Sequence, residues 1–188
     1  MRPAGPARAK VVGVDELQFW DLVDASRDEA GGRLEEQAEA LHAALSGLDP
    51  DDVARFDALL TEANHALYTW AHWGAADLVL GEVRDDTFTD VRSWVVAQGS
   101  TVFHAVVEDP DALADTDDDL TEDGVALARE WADTADAVHA GLTGHALEVA
   151  LADRVLRHEP DDQPLGTQLS DEREDLAVQF PRLAQRYR

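Results

Sequence analysis

"DPDDVARFDALLTEANHALYTW", residues 49–70, decides the fold class. Its apolar residues Phe56, Leu59, Leu60, Ala63, Leu67 and Trp70 recur at spacings of three and four, the period of a helix with one buried stripe. Asp49 is of the type that caps helix N-termini. Pro50 suits the first helical position, where no N–H is required. The spacing predicts a long helix over about residues 50–71. No run of alternating β-branched residues competes with this periodicity anywhere in the chain.

The same period extends outward. Upstream, Leu34, Ala38, Leu41, Leu45 and Leu48 predict a helix over 33–47, and another spans 15–29 before Gly31 and Gly32 stop it. Residues 1–13, rich in Pro, Gly and Ala, read as a flexible arm. Downstream, a short helix runs from Trp73 to Leu80 and is closed by Gly81. A helix over 86–98 starts at an Asp85 or Asp86 cap and stops at Gly99. Residues 100–108 form a short helix, and "EDPDALADTDDDLTEDG", residues 108–124, is a flexible linker of acids without a base. Helices over 121–142 and 145–157 flank Gly144, and "LAVQFPRLAQRYR" ends the chain as a short terminal helix. The fold class is therefore all-α. A single irregular multi-helix bundle carries an acidic loop and a short docked C-terminal segment. Its parts are an arm (1–13), a helical domain (14–158) and a loop with a terminal helix (159–188).

With 188 residues, the chain is long enough to bury a core. Its 40 acids against 15 bases give a formal net charge of −25. Such a field repels phosphate backbones and anionic membrane surfaces, so neither nucleic acid nor membrane is expected as a partner. Basic proteins or metal cations would be attracted instead, although strong acidity more often serves solubility. No cysteine is present, which removes disulfides, thiolate zinc sites and thiol nucleophiles. Neither a signal-peptide core nor a membrane-spanning run is visible, which places the protein in the cytoplasm.

Two Glu-x-x-His pairs, Glu39/His42 and Glu62/His65, match the ligand spacing of di-iron bundles. Measured from Phe56 on a helical wheel, His65 lies at about 180° and Glu62 at about 240°, away from the core where bundle ligands point. They read as a solvated face, and no metal or other cofactor is expected. In "DTDDDLTEDG" the aspartates alternate as in a calcium loop. Leu120 stands where the turn needs Gly, and Ala126 where the closing ligand is Glu. Catalytic residues are likewise not expected: no nucleophile elbow and no glycine-rich phosphate loop is present.

Arg92 is the residue that stands out. It lies about 40° from Phe88, inside the stripe of Phe88, Val91 and Val95. A guanidinium there must find a carboxylate or backbone carbonyls, because an unpaired buried charge is too costly. One reading is an ion pair locking two helices, with Asp77, Asp85, Asp86, Asp21 or Asp24 as the carboxylate. The other is a small-ligand or catalytic pocket, with Arg92 as clamp beside Asp85 and Asp86 and with Trp73, Trp94 and His72 as walls.

Several segments carry a family resemblance. They are "FWDLVDASRDEAGG", "YTWAHWGAADLVLG", "DDTFTDVRSWVVAQGSTVFHAVVEDPDALAD" and "FPRLAQRY". As a set, Trp-x-x-Trp-Gly-Ala-Ala, Asp-Asp-x-Phe, Arg-x-Trp, Gln-Gly and Asp-Pro-Asp resemble a bacterial domain of unknown function, family number 4240. The likeness covers roughly residues 16–115, with Asp77 and Val91 departing from its pattern. It implies a mostly helical cytoplasmic domain and no particular activity. Charge and the missing catalytic signatures together point to a non-enzymatic protein-binding or regulatory module, immunity- or inhibitor-like, whose partner is a protein; a basic one would suit the charge.

Overall fold

The computed structural model describes residues 13–147 and 163–188. Among them are ten α-helices: α1 (Glu16–Ala30), α2 (Leu34–Leu45), α3 (Pro50–Ala66), α4 (Trp70–Leu80), α5 (Asp85–Ala97), α6 (Ser100–Glu108), α7 (Glu122–Ala132), α8 (Thr134–Thr143), α9 (Arg173–Gln179) and α10 (Pro181–Arg186). A 3-10 helix, Pro110–Asp115, follows α6. Among the described residues the one extended pairing is a bridge between Thr69 and Leu165. The chain is all-α, and none of its described helices is long and apolar enough to cross a membrane.

α5 is the central helix. It buries Phe88, Asp90, Val91 and the run 93–97, and it packs on α7, α3 and α6. A helix covered on nearly every side needs apolar residues beyond a single stripe, which is why α5 carries both Trp94 and Val96. Trp94, Trp131, Phe19, Phe56 and Phe88 are the largest fully buried side chains of the described core. α1 starts at a capping box, in which Asp15 and Gln18 satisfy each other's backbone N–H, and ends at Gly31 in the left-handed conformation. Gly99 (φ 96°) has no room for a side chain, since a Cβ there falls 2.6 Å from the Asp24 carboxylate. That carboxylate caps α6, accepting the Ser100 N–H at 2.8 Å and its hydroxyl at 2.6 Å.

The structure corrects four sequence expectations. α3 ends at Ala66, and Trp70 opens α4 instead of closing the α3 stripe, because Thr69 accepts the His72 N–H as an N-cap. The helix expected over 121–142 is broken at Asp133, where the Thr134 hydroxyl bonds back to the Glu130 carbonyl at 3.3 Å and competes with the ladder. The acidic stretch after α6 is not a loose linker. Its 3-10 helix and the residues behind it are held by Arg182, Arg186 and Arg27. The terminal segment is two helices, because Pro181 cannot continue α9 but fits the first position of α10. The helix expected over 145–157 lies largely outside the described residues, as does most of the N-terminal arm.

Both terminal helices belong to the main core. Leu176, Phe180 and Leu183 are buried against α4 and the 3-10 helix. Gly74 on α4 makes the contact possible, since a Cβ there falls 2.8 Å from Leu169 and 3.1 Å from Leu176.

Candidate functional site

The residues singled out around Arg92 diverge in space. The Arg92 guanidinium donates to the carbonyl oxygens of Asn64 (3.0 Å) and Phe88 (3.4 Å) and to the Thr89 hydroxyl (3.0 Å). It also lies over the Tyr68 ring at 4.8 Å and the Phe88 ring at 5.2 Å. None of Asp77, Asp85, Asp86, Asp21 or Asp24 pairs with it. The ion-pair reading is corrected: neutral oxygens and ring faces satisfy this cation and tie α5 to the end of α3. Burial lowers its pKa from the ordinary value, and the neighbouring Tyr68 opposes that shift.

Trp73 joins the same cluster, 4.6 Å from Phe88 and 5.8 Å from Trp70. Trp94 points to the opposite side of α5, under α7, with its indole nitrogen 3.2 Å from a Cβ placed on Gly124. Asp85 and Asp86 are exposed at the α5 start, where Asp86 accepts the Thr87 N–H. Asp77 accepts the Val83 N–H at 2.8 Å and closes the α4–α5 turn; burial raises its pKa.

His72 faces α6. Its Nε2–H donates to the Val106 carbonyl at 2.9 Å, so Nδ1 accepts from the Thr69 hydroxyl at 2.7 Å. Both bonds belong to the neutral ring, and burial lowers its pKa from 6.5. A depressed folded-state pKa stabilises the fold above the unfolded value and withdraws that stability as pH falls below it. Urea midpoints at about pH 7.5 and about pH 5.5 should therefore drop more in the parent protein than in His72→Gln. Equal drops would remove His72 as an acid-sensitive post.

Two concavities flank α7, and of the candidate ligands read from the sequence only Glu39 and His42 line either of them. The first, about 570 Å³, is lined by Leu80, Val83, Arg84, Asp90, Glu122 and Arg129, among others. At its wall Arg129 grips the buried Asp90, with Nε 3.0 Å and a terminal nitrogen 2.5 Å from one carboxylate oxygen. The second, about 600 Å³, is a trough between α2 and α7–α8. Glu35, Glu39, His42, Glu130 and Asp133 line it, together with Ala38, Leu127, Thr134 and Ala137. Glu130 lines both concavities. Burial raises the Asp133 pKa, which Arg129 opposes and Asp136 and Asp90 reinforce. Among the described residues no group of three or more His, Asp or Glu side chains is gathered closely enough to hold a metal ion.

The profile of the family described as a protein of unknown function, DUF4240, matches residues 14–138. The chain belongs to this family. No curated protein and no solved structure matches it. The DUF4240 match runs from the start of α1 into α8, so it contains α5, the Arg92 cluster and both concavities. It leaves out α9 and α10, although Gly74 inside the match is shaped for them. Within the match, Asp109 and Asp111 of the Asp-Pro-Asp segment hold the terminal Arg182.

The two sites were hidden for a physical reason. Asp90 lies on a helix buried on nearly every side, where a wheel separates no polar face. The trough walls come from helices distant in sequence, and each wall alone looks like an ordinary solvated face.

Proposed function

We propose that this DUF4240 protein is a non-enzymatic binding or regulatory module that captures a basic protein, in the manner of an immunity or inhibitor protein. One observation carries the reading: among the described residues most arginines are tied up within the fold. Arg27, Arg33, Arg55, Arg129, Arg182 and Arg186 each pair with a carboxylate. Arg92 and Arg173 are held by neutral oxygens. What faces outward is a field that speeds capture of positive partners and rejects negative ones.

The test is cross-linking and affinity capture of the tagged full chain in the cells that make it. A stoichiometric partner of net positive charge is expected, with retention falling steeply between about 50 mM and about 500 mM salt. A neutral or acidic partner, or retention indifferent to salt, overturns the reading.

A further inference from the structure

Two acidic regions among the described residues differ in what neutralises them. Around residues 109–119, Arg182 bridges Asp109, Asp111 and Asp115, Arg186 meets Asp119, and Arg27 meets Asp118. That region is closed by the chain itself. In the trough between α2 and α7–α8, Glu35, Glu39, Glu130 and Asp133 enter no ion pair among the described residues. Arg129 is committed to Asp90 and acts on Asp133 only from a distance, so the acids of this concavity remain open to a cationic partner.

Shape narrows the partner further. The trough runs between helices, with small residues Ala38 and Ala137 and the larger Leu127 among its lining. From Glu35 to His42 it follows α2 for about 10 Å at the helical rise of about 1.5 Å per residue, some two turns of a helix laid alongside. Small lining residues allow close approach, and acids contributed by both α2 and the α7–α8 side suit bases flanking an apolar stripe. We infer that this trough seats a basic amphipathic helix of the partner protein, apolar stripe down and arginines or lysines against Glu35, Glu39, Glu130 and Asp133. The inference rests on the basic-partner reading and gives it a location.

The probe is a synthetic 16-residue helix with an alanine and leucine stripe flanked by arginines, titrated into the full isotope-labelled chain at low salt. Amide shifts concentrated in residues 35–42 and 127–137 are expected. Glu39→Lys with Asp133→Lys should weaken binding roughly tenfold or more, while Asp21→Lys with Glu29→Lys on α1 should change it less than about twofold. A control peptide with the same arginines spaced by glycine should bind more weakly, because it lacks the stripe. Shifts spread over α1 and α3, or equal losses from both variant pairs, overturn the trough while leaving the basic-partner reading standing if binding still falls with salt. No binding at low salt overturns both. Trough amides that move when residues 1–12 alone are deleted would assign the trough to the chain's own Arg2, Arg8 and Lys10, and this too overturns the inference.

Discussion

Ending the chain at Glu172 should cost roughly 6 kcal/mol or more and leave a loosely packed protein that binds hydrophobic dye. The deleted segment buries Leu176 (3% exposed), Phe180 (4%) and Leu183 (0%). Full burial of such side chains is worth about 1.5–3 kcal/mol each, and the whole stability of a domain is only about 5–15 kcal/mol. Polar losses add to this. Arg173 donates to the Leu78 carbonyl at 2.6 Å, and the Tyr187 hydroxyl accepts the Leu120 N–H at 2.9 Å. Deletion strips both, and opens Gly74 and the 3-10 helix to water. Urea unfolding followed by tryptophan fluorescence reads the effect directly. A truncated chain within about 1 kcal/mol of the parent would mean that residues 173–188 decorate the family domain and do not complete it.

What the sequence made legible follows from what local chemistry can encode. The starts of α1 and α3 and the stops of α1 and α5 lie where Asp15, Pro50, Gly31 and Gly99 put them, because caps and left-handed glycines act within one turn. Phe56, Leu59, Leu60 and Ala63 are all buried, as their spacing required. What stayed hidden is non-local. In the sequence, Asp24 and Asp77 read as candidate partners of Arg92, and Asp111 and Asp136 as ordinary surface acids. Folded, each accepts a backbone N–H from another segment, at Ser100, Val83, Leu183 and Leu147. Nothing within four residues of such an aspartate announces the partner. Arg92 fails for a related reason. A buried guanidinium demands acceptors, but the demand does not say whether carboxylates, carbonyls or ring faces will meet it. Nor does an acidic run announce that arginines some 70 positions later will neutralise it.

Asp111→Ala should destabilise the protein by about 3 kcal/mol, while Asp115→Ala, on the same arginine, should cost under about 1 kcal/mol. Both aspartates face Arg182, so a count of ion pairs would rank them alike. Their surroundings separate them. The Asp115 side chain is 63% exposed, and water replaces what the pair supplied. The Asp111 side chain is 9% exposed, and Arg182 is the lesser of its partners. Its two oxygens accept the backbone N–H of Arg182 at 3.0 Å and of Leu183 at 2.9 Å. These are first-turn donors of α10, whose own N-cap residue, Phe180, has no side-chain acceptor to offer. Asp111 therefore caps a helix to which it does not belong, from the 3-10 helix some 70 residues upstream. Alanine would strand two N–H groups next to the buried Leu183, where the penalty is that of desolvated donors and not of one lost bond. Asparagine keeps one acceptor oxygen, so Asp111→Asn should fall between parent and alanine. If Asp111→Ala and Asp115→Ala lose equal stability in urea, the tail is held by charge alone, and the capping account of its docking fails.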